Sequence, residues 1–196
     1  MASPSTALDP IEILAVATGL ISVVLATRRN RLCWVAGAVS SAATAYTLLV
    51  SALPLQALLQ VYYVVVAGYG WFHWTRSATQ GELPVGTWPY SWHLVAAVVL
   101  TALSLGTARL VATGVQDDWP LLDSLTLWFS LLATWLQARA RLENWLYWVI
   151  IDTLMAFLFF AQQKYWLSAL MIVYVVIAAA GFVAWRRRFR AQTVPA

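Results

Sequence analysis

Charge is scarce in this chain and cysteine almost missing. Asp, Glu, Lys and Arg together make up 10% of its 196 residues, and Cys33 is the only cysteine. One thiol excludes an intrachain disulfide and a cysteine-built metal cluster, so Cys33 reads as a small buried apolar residue. No Gly-x4-Gly-Lys-Ser/Thr phosphate loop is present, and coupling to ATP would need another subunit. The two histidines, His73 and His93, stand near the ends of apolar runs with no acidic partner at motif spacing. That leaves no cluster of acid, base or metal ligands for an enzyme, and we expect no catalytic residue, no metal and no cofactor. Lys164 precedes the last apolar run, so the chain lacks the buried amine that a retinal Schiff base requires.

What fills the chain instead is apolar: 62% of residues are hydrophobic and the mean hydropathy is +0.73. A water-soluble globule of that composition would expose large apolar patches. Stretches of about 20 apolar residues, enough to cross a hydrocarbon core of about 30 Å, recur along the chain. We place seven, at 11–27, 32–53, 55–74, 92–111, 121–137, 145–162 and 165–185. In lipid every backbone N–H and C=O must pair within its own segment, so these runs are helices. The first ten residues lack a basic region and no small-residue cleavage pattern follows, so the first run reads as a retained span rather than a signal peptide. The fold class is therefore an all-α polytopic membrane protein with seven transmembrane helices.

Basic residues beside a span are held on the cytoplasmic side. If the first span enters from outside, Arg28, Arg29, Arg31, Arg76, Arg139, Arg141, Arg186, Arg187, Arg188 and Arg190 lie inside, against Arg109 and Lys164 outside. The pattern predicts an outer N-terminus, a cytoplasmic C-terminus and an outward loop carrying Asp117 and Asp118. The net charge of +4 comes from arginines at span ends, where the nearer partner is anionic membrane lipid and not nucleic acid.

One phrase is written twice, Tyr63-x6-Gly70-x3-Trp74 and Tyr174-x6-Gly181-x3-Trp185, 111 residues apart. The same offset pairs Glu12 with Asp123 and Arg28 with Arg139, whereas Asn30-x3-Trp34 meets Asn144-x3-Trp148 at an offset of 114, setting Trp34 opposite Trp148. We read a single membrane domain over 1–196 in a 3+1+3 parallel-repeat arrangement. Its parts are one repeat at 11–74, a connector helix at 92–111 and a second repeat at 121–185. Repeats of this kind place a substrate site near the midplane, at the interface between halves.

The candidate ligand contacts follow from spacing. Trp145, Trp148 and Asp152 stand at i, i+3 and i+7, one face of a helix, with Asp152 about two turns into the span. An ionised carboxylate at that depth marks a functional site by default, and two indoles beside it suit a flat, positively charged ring. Gln56, Gln60, Tyr63, Ala67, Gly70 and Trp74 form a stripe on the third span, where the two amides offer hydrogen bonds to hydroxyls or bind neighbouring helices. The matching stripe of the last span, Leu167, Met171, Tyr174, Ala178, Gly181 and Trp185, has lost the amides. Asp123, Thr126, Ser130, Thr134 and Gln137 make another stripe, whose hydroxyls either bond their own helix or line the path. Gly37, Gly70 and Gly181 permit close helix approach or hinge motion. Trp34 is a further ring-stacking candidate.

The runs Glu143-Asn144-Trp145-x2-Trp148-x3-Asp152 and Leu59-Gln60-x2-Tyr63-x6-Gly70-Trp71-x2-Trp74, with the basic end after Trp185, resemble the PnuC family of bacterial vitamin transporters over nearly the whole chain. The resemblance implies a fold like the sugar-transporting SWEET proteins, a homotrimer in the bacterial cytoplasmic (inner) membrane, and facilitated diffusion of nicotinamide riboside. The substrate is then trapped by a separate phosphorylating enzyme. It also carries the family's Trp-x2-Trp-x3-Asp/Asn element onto Trp145, Trp148 and Asp152, and its glutamine-bearing third helix onto Gln60. Relatives of that kind carry other vitamins, thiamine among them, and both ligands are aromatic cations. Proton or sodium coupling through Asp152 is the competing mechanism.

Overall fold

The computed structural model describes residues 10–50, 54–78, 83–112 and 119–193, with side chains at 54–58, 77–78, 111–112 and 193 left aside. Gln56 belongs to that set, and Asp117 and Asp118 lie outside the described residues. Among the described residues seven helices follow one another: α1 (Pro10–Thr27), α2 (Leu32–Val50), α3 (Pro54–Ala78), α4 (Tyr90–Ala112), α5 (Pro120–Ala138), α6 (Asn144–Ala161) and α7 (Tyr165–Thr193). Their bounds fall within a few residues of the expected spans except at the end, where α7 continues eight residues past Trp185. Nothing in Arg186 to Thr193 breaks a helix, and Gln192 is held there by accepting a hydrogen bond from the Val85 N–H at 3.1 Å.

Length and hydropathy qualify five of the helices to cross a membrane: α1, α2, α4, α6 and α7. The other two, α3 and α5, are the helices that carry the amide and hydroxyl stripes. Prolines open α1, α3 and α5, using the position where a missing N–H costs nothing.

The chain divides into two compact units, Met1–Leu83 and Pro84–Ala196. In the first, α2 packs against both α1 and α3. The Ser22 hydroxyl donates to the Cys33 carbonyl and the Ser40 hydroxyl to the Ala15 carbonyl, each at 2.7 Å. A Cβ added to Gly37 would stand 3.1 Å from Ser22 Oγ, so α1 and α2 approach through small residues, as helices in lipid do. In the second unit α5 packs on α4 and α6, and α6 on α7. Fully buried Ser104 donates to Leu100 O and Ser124 O, and Trp128 Nε1 donates to Thr107 Oγ1 at 3.0 Å, joining α4 to α5. Ser168 donates to Ala156 O at 2.9 Å, joining α7 to α6.

Three reversals share one device. Arg29, Ala140 and Gln163 adopt positive φ of 58°, 51° and 60°. The following N–H reaches back five residues each time: Asn30 to Leu25 O, Arg141 to Leu136 O and Lys164 to Phe159 O. This is the Schellman closure that usually takes glycine. The segment at 83–89 is strapped across the α5–α6 turn. Gly86 N donates to Ala140 O at 3.1 Å, Leu142 N donates to Gly86 O at 2.8 Å, and Trp88 N donates to Glu143 Oε1 at 2.9 Å.

Candidate functional site

α6 carries three of the expected residues, Trp145, Trp148 and Asp152. Asp152 is 9% exposed in a helix that, Asn144 and Thr153 apart, is otherwise built of apolar and aromatic residues. No hydrogen bond or ion pair engages its carboxylate among the described residues. Tyr174, one layer away on α7, lies within its electrostatic reach. Trp148, one turn before Asp152 on the same face, is half-buried, and its indole Nε1 is buried without an acceptor.

Trp145 has a different environment. It is 1% exposed, meets Trp185 edge to face at 5.5 Å and 84°, and covers Gly181, where an added Cβ would stand 2.7 Å from its ring. The first unit repeats this unit for unit. Trp34 meets Trp74 at 5.3 Å and 86° and covers Gly70 in the same way. Trp34 is therefore the counterpart of Trp145 and not of Trp148, and the 111-residue register runs unbroken through α2 and α6. The correction has a steric cause: an indole lies flat on a helix only where that helix presents glycine. In this register Trp148 corresponds to Gly37, Asp152 to Ser41 and Gln60 to Met171. The tryptophan–glycine scaffold is common to both units, and the polar residues are where they differ.

On α5, Thr126 and Ser130 are buried. Thr126 Oγ1 donates to Asp123 O at 2.9 Å and Thr134 Oγ1 to Ser130 O at 2.8 Å, so these two threonines bond their own helix. On α3, Gln60 and Tyr63 are half-buried, with Tyr63 against Tyr62 at 5.7 Å. An open apolar hollow of about 320 Å³ is lined by Trp119, Pro120, Leu121, Leu122 and Leu125, and none of the expected contacts borders it.

His93, read as having no acidic partner at motif spacing, finds its partners far along the chain. It does have an acidic neighbour: its Nε2 is 3.9 Å from Glu143 Oε1, and its Nδ1 is 2.9 Å from the Tyr147 hydroxyl. The partners lie fifty positions along the chain, where no motif spacing reaches.

The profile of the family described as "Nicotinamide mononucleotide transporter" matches residues 9–187. The chain is similar to the nicotinamide riboside transporter PnuC of Escherichia coli (strain K12), 29% identical over 154 residues, covering 65% of this chain and 64% of the relative. It thus spans just under two thirds of that protein's length. It is also similar to the riboflavin/roseoflavin transporter RibM of Streptomyces davaonensis, 26% identical over 187 residues, covering 90% of this chain and 84% of the relative. A crystal structure of the vitamin B3 transporter PnuC shares the fold, with a TM-score of 0.72 at 18% identity over 93% of this chain and 83% of that one. With nearly the whole chain inside the profile and the fold in agreement, this protein belongs to the nicotinamide mononucleotide transporter family.

Proposed function

We propose that the chain carries a positively charged aromatic vitamin precursor, nicotinamide riboside, across a bacterial cytoplasmic membrane by facilitated diffusion. The observation that carries this reading is Asp152, a carboxylate 9% exposed in an apolar membrane helix with no cationic partner among the described residues. Asp at the centre of such a helix costs about 2.5–3.5 kcal/mol on insertion scales. A cationic ligand offsets that cost, and Trp148 on the same face offers an indole to a charged ring. The riboside's pyridinium carries a fixed positive charge, and its ribose hydroxyls suit Tyr174, which lies within electrostatic reach of the carboxylate. Support also comes from the riboside transporter among the relatives. The proposal extends to seven transmembrane helices in a SWEET-like 3+1+3 plan, an outer N-terminus and a homotrimer.

A second reading rests on the Streptomyces relative, which aligns over more of the chain: the ligand is riboflavin, whose ring system is neutral. One experiment separates them. Binding of nicotinamide riboside, thiamine, riboflavin and nicotinamide mononucleotide is measured on purified wild type and Asp152→Asn. The riboside reading expects cation binding in the wild type and a loss of about tenfold or more in the variant, with the mononucleotide weak because its phosphate opposes the carboxylate. Riboflavin binding that ignores Asp152→Asn establishes the second reading instead.

A further inference from the structure

Four of the buried side-chain atoms without a hydrogen-bond partner lie on one short stretch at the start of α6: Glu143 Oε2, Asn144 Oδ1, Trp145 Nε1 and Trp148 Nε1. The backbone of this start is bonded locally, as is Asn144 Nδ2 to Arg141 O, while its ties to other elements run through Glu143 and Tyr147. Glu143 occupies the N-cap position in helical conformation and makes no side-chain cap bond to its own helix. Its Oε1 instead accepts from Trp88 N at 2.9 Å and faces His93 Nε2. Tyr147, one turn on, places its hydroxyl on His93 Nδ1 and its ring over the imidazole at 5.8 Å and 28°. The two ring nitrogens of this α4 residue thus face two residues of the α6 start, the Tyr147 hydroxyl at 2.9 Å and the Glu143 carboxylate at 3.9 Å.

Aromatic rings close the arrangement from the sides. Trp88 meets His93 edge-on at 5.5 Å and Trp135 of α5 at 5.8 Å, while Phe129 of α5 stacks on Tyr147 at 6.2 Å. Trp88 thus touches both the imidazole and α5, and Tyr147 stacks on both His93 and Phe129. We propose that His93 is a positioning residue for the ligand-binding helix. Through Tyr147 and Glu143 it sets the rotation of the first turn of α6, and with it the presentation of Trp148 and Asp152. The helix is stiff, so a turn at Tyr147 moves Trp148 beside it and Asp152 five residues on. This deepens the function proposed above and rests on it for the ligand, though not for the geometry.

The test uses the full-length protein in detergent or nanodiscs. Amide hydrogen exchange is read at Leu146 and Tyr147, whose N–H groups donate to Glu143 O, and at the first turn of α2 as an internal reference. His93→Ala is expected to speed exchange at the α6 turn by about tenfold, as loss of one hydrogen bond allows, with the α2 turn unchanged. Riboside affinity is expected to fall by a similar factor while the melting temperature moves little. His93→Asn places an amide where Nδ1 was, keeps the Tyr147 link and restores most of the protection. Tyr147→Phe combined with His93→Ala is no worse than the worse single variant, because both remove one link. Unchanged exchange in His93→Ala, or losses that add in the double variant, would overturn the proposal. If the wild type binds no cationic vitamin, the functional reading falls, and exchange at the α6 turn still decides the role of His93.

Discussion

Trp34 and Trp145 show how a side chain suited to a membrane interface is used for packing. Each indole lies where its neighbouring helix has glycine and meets a second tryptophan edge to face. In lipid such contacts do not gain from expelling water; they hold helices together through close van der Waals fit. A methyl at Gly181 or Gly70 has nowhere to go, since the obstacle is a ring pinned on its other side by Trp185 or Trp74. Gly181→Ala and Gly70→Ala are each expected to cost about 1–3 kcal/mol, read as reduced resistance to unfolding in mixed micelles. The methyl at Gly68, which has nothing within 4 Å, is the control and should leave stability unchanged. The doubled glycines were legible as points of close approach. Which indole of α6 covers Gly181 was not, because Trp145 and Trp148 share a face and only the facing helix tells them apart.

Among the helices, α4, expected as a connector, is tied to α5 by polar bonds: fully buried Ser104 donates to Ser124 O, and Thr107 accepts from the Trp128 indole. Polar bonds between membrane helices average about 0.6 kcal/mol and reach about 1.7. Ser104→Ala and Trp128→Phe should each weaken the α4–α5 pair within that range, measured by the same unfolding assay. Ser104→Ala also leaves Leu100 O bonded within its helix, so its effect reports the bond to α5. The helix positions themselves followed from apolar runs and bilayer thickness. The sharp reversals did not, because Arg29, Ala140 and Gln163 take a conformation that normally announces itself with glycine. Their closure comes from the backbone bonds of the helix ends.

Among the described residues α3 and α5, which carry the amide and hydroxyl stripes, are the two helices that do not qualify as spans by length and composition. Lipid cannot solvate the stripes of such helices, so they face protein, water or ligand. A carrier working by facilitated diffusion needs nothing beyond its substrate gradient. In proteoliposomes without proton or sodium gradients, labelled riboside is expected to equilibrate at an undiminished rate, and an uncoupler should change nothing. Uptake that stops when the proton gradient is removed would instead assign Asp152 to ion coupling.

Length and polarity along the chain were enough to establish seven helices, five of them able to cross a membrane by length and composition, and two related tryptophan–glycine phrases, because the bilayer sets both the length of a crossing and the cost of each polar atom in it. The residues that meet across helices were beyond that reach. Which indole is spent on a glycine, that His93 finds Glu143 and Tyr147, and that the 83–89 segment straps the α5–α6 turn all depend on helix rotation and depth. Those are set by the mutual fit of side chains distant in the chain, which no periodicity within one helix encodes.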